Sequence, residues 1–126
     1  MERLYRLAER LRQPDGCAWD RQQTLASCAK HLREEVEELC QALEAGDPAS
    51  IREESGDLLW NIVFAVRLAE EKGLFSRDEV VMGILEKLVR RHPHVFGGEK
   101  AATPEQALAA FNRMKVEERK KKPYQI

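Results

Sequence analysis

Residues 32–62 read LREEVEELCQALEAGDPASIREESGDLLWNI, and the punctuation of this stretch decides the fold. Leu32, Val36, Leu39 and Leu43 recur at three- and four-residue intervals, the spacing of one face of an α-helix. Ile51, Leu58 and Ile62 mark a second such stripe. Between the stripes stand Gly46, which terminates a helix, Asp47, which caps the next, and Pro48, whose fixed φ suits a first helical position. So short a connection joins antiparallel neighbours, and the stretch predicts a helical hairpin. Its first helix spans about 24–45 and its second about 48–72, with Gly73 as the stop.

The same grammar extends outward. Leu4, Leu7, Ala8 and Leu11 predict an amphipathic helix ending before Pro14. Residues 14–20 read as an ordered loop holding a buried Trp19. Ser76 and Glu79 form a capping-box pattern that opens a helix to about 91. His92-Pro93-His94 then breaks it as a structural turn. Thr103-Pro104-Glu105-Gln106 opens a last helix to about 120, and residues 120–126 read as a flexible tail. No segment alternates with period two, so the expected fold is all-α, a hairpin-based bundle forming one domain over 1–126.

Bulk properties exclude several classes. Lys+Arg number 21 against 22 Asp+Glu, and a net charge of −1 argues against nucleic acid as a partner. No apolar run reaches the roughly 20 residues of a membrane span, so no membrane partner is expected. The N-terminal stretch is charged throughout and lacks the apolar core of a secretion signal. Three cysteines without metal-type spacing read as free thiols in a reducing, cytoplasmic setting.

Chemistry enters with the acids of the hairpin. At about 100° per residue, Glu34 and Glu37 fall opposite the first apolar stripe, whereas Glu35 lies on its edge and Glu38 one turn along. Glu54 and Asp57 hold the same offsets from Ile51 on the second helix. Folding about Gly46 sets Glu38 level with Glu54, each eight residues away, and Glu35 level with Asp57, each eleven away. Four carboxylates so gathered repel one another and call for a cation, and oxygen-only ligation selects Mg²⁺, Mn²⁺ or Ca²⁺. The plain rival is a solvated face of Glu paired with Lys or Arg, which suits Glu34, Glu37 and Glu53 but not Glu35 and Glu54. A di-iron bundle needs Glu-x-x-His, and neither cluster has it; His31 reads as a surface residue. Asn61, one turn beyond Asp57, offers a further oxygen.

Glu34-Glu35-Val36-Glu37-Glu38, followed by Glu53-Glu54-Ser55-Gly56-Asp57-Leu58-Leu59, closely resembles the MazG nucleotide pyrophosphohydrolase family. The opening segment, Leu11 through Asp20 with Gln23-Thr24, and the segment from Lys87 through Phe96 resemble the same family. That resemblance implies an α-helical fold in which a dimer assembles four-helix active sites. It implies Mg²⁺, with Mn²⁺ as a substitute, held by Glu35, Glu38, Glu54 and Asp57. It further implies cleavage of NTPs or dNTPs, non-canonical ones included, to the monophosphate and pyrophosphate. Three residues depart from the family pattern: Ala18 replaces a proline, Ser55 a leucine, and Phe111 a tryptophan that contacts nucleotide.

The remaining site expectations follow. Water attacks the α-phosphorus with Glu38, and Glu35 beside it, as the expected base. Lys87 and Arg91 lie on the edge of the Val80/Ile84/Leu88 stripe and are expected to meet the triphosphate, with Lys115 as a third cation matching the family. Phe111 is expected to stack on the base, and the Trp19 segment to pack as a lid near the nucleotide. Trp60, Val63 and Phe64 broaden the second hairpin helix beyond one stripe, which predicts a partner chain and a homodimer or homotetramer. The competing readings are a nucleotide-sensing module without turnover and a purely structural helical dimer.

Overall fold

The computed structural model describes residues 1–121 and contains no strand among them. Its helices are α1 (Glu2–Leu11), α2 (Ala18–Gln22), α3 (Leu25–Ala45), α4 (Pro48–Glu71), α5 (Arg77–Arg91), α6 (Pro93–Phe96) and α7 (Pro104–Lys121). They form two compact units, residues 1–77 and residues from 78 onward. The expected flexible tail lies almost wholly outside the described residues.

In the first unit α3 and α4 make the expected hairpin. Thr24 opens α3 with a reciprocal cap: its Oγ1 accepts from the Ser27 amide at 3.2 Å while Ser27 Oγ accepts from the Thr24 amide at 2.9 Å. Gly46 closes α3 at φ 73°, a left-handed conformation that a Cβ would strain. Asp47 Oδ2 then accepts from the Ser50 amide at 3.0 Å and from its hydroxyl at 2.6 Å. These local bonds satisfy orphan amides at both helix starts, so the hairpin is specified before any long-range packing.

The buried faces differ from the expected seam. Val36, Leu43 and Ile62 are exposed, at 45%, 55% and 45% of their surface. The core is instead built on the C-terminal half of α4, which is apolar on two faces. One face, Val63 and Val66 with Leu59, packs under Tyr5 and Ala8 of α1. The other, Phe64 and Leu68, packs against Cys28 and Leu25 of α3. Trp60 touches both clusters and meets Phe64 edge-on, ring centroids 5.7 Å apart. The excess apolar width of α4 expected to need a partner chain is thus covered at Val63 by α1. Each large side chain buried there contributes roughly 1.5–3 kcal/mol.

Between α1 and α3 the chain is not a plain loop around a buried tryptophan. It forms the five-residue α2, and Trp19 is 63% exposed. Gly16 makes the approach possible: a Cβ there would collide with the backbone carbonyls of Leu11 and Arg10. Its neighbour Cys17 donates its amide to the Leu11 carbonyl at 2.9 Å, so a side chain at 16 would break the stop of α1.

In the second unit α6 packs on α7. The His92-Pro93-His94 turn restarts as the one-turn α6 because Pro93, at its first position, has no amide to leave unpaired. Thr103 Oγ1 caps α7, accepting from the Gln106 amide at 3.2 Å. Helix α5 has no buried residue: its Val80, Ile84 and Leu88 stripe, expected to face an interior seam, is exposed.

Candidate active site

The hairpin brings together the acids that flank its turn. Glu35, Glu38 and Glu54 each place a carboxylate oxygen within 4.8 Å of the other two, an arrangement able to hold a metal ion. Glu38 stands between Glu35, one turn before it on α3, and Glu54 across the hairpin, which the equal spacing about Gly46 sets level with it. Asp57, more exposed, stands outside that set but acts on Glu35 and Glu54 through its charge. Burial first, then the neighbouring acids, push the Glu35 carboxyl above its usual range. Glu54 is pushed up by burial, by its hydrogen bond with Glu38, and by the charges of Glu38, Asp57 and Glu35.

Two features separate these acids from the rest of the surface. Glu35 and Glu54 each bury one carboxylate oxygen, Oε2, that finds no hydrogen-bond partner. Among the described residues none of Glu35, Glu38, Glu54 or Asp57 lies in an ion pair with Lys or Arg. Elsewhere the protein pairs its acids freely: Arg12 with Glu71 at 2.6 Å, Arg77 with Glu9 at 3.3 Å, Arg91 with Glu118 at 2.9 Å. A buried oxygen without a donor costs roughly 1–3 kcal/mol or more when charged. The donor set is all oxygen, so these residues fit a hard divalent cation.

One turn from the acids on both helices lies a cleft of about 190 Å³, lined by Trp19, Asp20, Gln23, His31, Trp60 and Asn61, with Cys28 and Phe64 at its base. His31 precedes Glu35 by four residues and Asn61 follows Asp57 by four, which sets the cleft about 6 Å along the helix axes from the carboxylates. Trp19 and Asn61, expected near the nucleotide, therefore meet in one place. Asn61 is oriented by donating its amide nitrogen to the Asp57 carbonyl at 2.8 Å, which turns its side-chain oxygen the other way. His31, read from sequence as a surface residue, belongs to this cleft. Its spacing from Glu35 was the available signal.

The second unit gathers the other expected residues by itself. Arg91 lies over the Phe111 ring at 5.4 Å and Lys115 approaches it at 5.7 Å, while His92 meets it edge-on at 5.5 Å. Lys87, one turn before Arg91, is half-buried. Arg91 is not free for an anion: its Nε and Nη2 donate to Glu118 at 3.2 Å and 2.9 Å, and Arg90 Nε donates there at 2.7 Å. Glu118 carried no expectation, because nothing near it in sequence marks a partner of both arginines.

Comparison with known proteins points to one family. The profile of the MazG nucleotide pyrophosphohydrolase domain matches residues 23–96. The chain is 40% identical over 123 residues to a nucleoside triphosphate pyrophosphohydrolase of Escherichia coli, covering 97% of this chain and 47% of that protein. It is 40% identical over 121 residues to the nucleoside triphosphate pyrophosphohydrolase/pyrophosphatase MazG of Thermotoga maritima, covering 96% and 46%. The chain thus spans about half the length of the curated relatives it matches. Among solved structures, a mazG-related protein from Thermotoga maritima superposes with a TM-score of 0.77 at 26% identity, over 92% of this chain and 99% of that one.

Proposed function

The chain belongs to the MazG nucleotide pyrophosphohydrolase family, and from that premise we propose that it hydrolyses nucleoside triphosphates, NTPs or dNTPs, to the monophosphate and pyrophosphate with Mg²⁺. Mn²⁺ is the expected substitute. The observation that carries this reading is the cluster of Glu35, Glu38 and Glu54, close-packed, unpaired with any base, and holding two buried oxygens without donors. Glu35, Glu38, Glu54 and Asp57 hold the cation. Bound there, it supplies charge neutralisation for the polyphosphate and a lowered pKa for the attacking water.

The remaining steps belong to the protein's own side chains. Glu38, the exposed member of the cluster, takes the proton as a water oxygen bonds to the α-phosphorus; Glu35 is its alternate. The bond from that phosphorus to the α–β bridging oxygen breaks, and pyrophosphate leaves with the electron pair. The cleft beside the acids holds the nucleoside, its base flat against Trp19 and Trp60 and its polar edge toward Asn61. A volume of about 190 Å³ suits one heterocycle and its sugar better than a whole nucleotide. Taken by itself, the second unit offers Lys87, Arg91 and Lys115 as cations for a polyphosphate and Phe111 as a ring for stacking. Arg91 is shared with Glu118, so of the three Lys87 and Lys115 are the cations that meet no carboxylate among the described residues.

The same reading includes a homodimer or homotetramer, supported by apolar residues left uncovered within one chain, among them Val36, Leu43, Ile62, Ile84 and Leu88. Among the described residues no helix is long and apolar enough to cross a membrane; a cytoplasmic location is part of the same proposal. Incubation with each NTP and dNTP, with and without Mg²⁺, and product analysis by anion exchange tests the activity. Monophosphate and pyrophosphate formed only with metal support it. Diphosphate and phosphate overturn the bond assignment, and binding without turnover moves the protein to a nucleotide sensor.

A further inference from the structure

We infer that Arg12 is a positioning residue for the nucleoside cleft, holding the wall made by α2 in place through a clamp on Glu71. The inference rests on reading that cleft as the nucleoside site. Helix α2 supplies three of its lining residues: Trp19 and Asp20 from within it and Gln23 from its C-cap. A five-residue helix does not hold itself, because nucleation costs more than so few hydrogen bonds return. None of its residues is buried, so packing does not hold it either.

What ties it to the ends of both α1 and α4 is one guanidinium. Arg12 Nη1 donates to the Asp20 carbonyl at 2.6 Å and to the Gln23 carbonyl at 3.3 Å, at the end of α2 where carbonyls lack helical donors. The opposite edge of the same fork donates to Glu71, Nη2 at 2.6 Å and Nε at 3.1 Å. The side chains of Arg12 and Glu71 keep only 15% and 26% of their surface. Arg12 is itself the C-cap of α1, and Glu71 is the last residue of α4. The clamp therefore ties the ends of three helices at one point. The other bonds of the segment, Arg21 Nη1 to the Pro14 carbonyl at 2.8 Å, Gln23 Nε2 to the Trp19 carbonyl at 3.1 Å and Ser27 Oγ to Gln23 Oε1 at 2.7 Å, shape it and join it to α3 without anchoring it to α4. A lysine has the charge but not the planar fork that serves carbonyl and carboxylate together.

The test compares wild type with Arg12→Lys and Glu71→Gln, which keep a polar group at each position and spare the fold. The expected result is a KM for nucleoside triphosphate raised about tenfold in Arg12→Lys, with kcat within about twofold, since the loss of binding geometry leaves the acids in place. Magnesium binding, followed by calorimetry, should be unchanged. Glu71→Gln should give a smaller rise, and the double variant should add little to Arg12→Lys because both act through one clamp. A substrate-free readout accompanies these: hydrogen exchange of residues 18–23 should accelerate in Arg12→Lys while α3 and α4 stay protected. Equal loss of kcat and magnesium binding, or unchanged KM, overturns the positioning role. Unchanged exchange at α2 overturns the clamp. Faster exchange in a protein that turns over no nucleotide upholds the clamp and overturns the functional reading instead.

Discussion

Glu35 and Glu54 show what a single side chain concedes to function. Each buries an oxygen with no donor beside other acids, an arrangement that disfavours the fold unless a cation is present. We expect Glu54→Gln to raise the melting temperature of the metal-free protein while removing the stabilisation by Mg²⁺ and lowering turnover at least about a hundredfold. In wild type, Mg²⁺ at a hundred times its Kd should add about 2.7 kcal/mol, read as a calorimetric shift. A destabilised Glu54→Gln protein would show that the acids are structural. These residues were legible because glutamates on the edge of an apolar stripe stand out against the solvated ones. Arg12 was not, because its acceptors are carbonyls 8 and 11 residues away and a carboxylate 59 residues away.

Among elements, α3 and α4 were readable to within a residue because their ends are written locally, in Thr24, Gly46, Asp47 and Pro48. Asp47→Ala should cost about 1 kcal/mol in urea unfolding, the worth of an N-cap. The packing faces were not readable. Periodicity finds apolar stripes, but on α4 there are two, and nothing local says that α1 takes the one centred on Val63. Phe64→Ala should cost about 3–5 kcal/mol, marking that face as core. The link of α5 to α7 makes a pH prediction. Hydrogen bonds from Arg91 and then Arg90 hold the Glu118 carboxyl down from 4.5 to about 2. A depressed carboxylate contributes stability above its ordinary value, and loses it as pH falls through the folded one. Thermal unfolding of wild type and Glu118→Gln should therefore differ most above pH 4.5 and converge toward pH 2.

At the scale of the whole molecule, one chain leaves much apolar surface open, and α5 buries nothing. Leu88→Glu should convert the assembly to monomer in sedimentation equilibrium, with helicity retained by circular dichroism. A monomeric wild type would remove the oligomer from the proposal. Helical periodicity, with no segment alternating at period two, was enough to anticipate an all-α fold. The sequence was silent on the division at residue 77, because Gly73 and the Ser76 cap mark a helix connection like the others in the chain.

The turn at Gly46 fixes more than a chain reversal. The acids of α3 meet those of α4 only because each pair stands equally far from it. A residue inserted into α4 between Asp47 and Glu54 would turn Glu54 by about 100° and shift it about 1.5 Å relative to the cap. Glu54 would leave Glu38, though every residue of the cluster remained. A stretch that touches no substrate thus holds the chemistry together, by its length and not by its side chains.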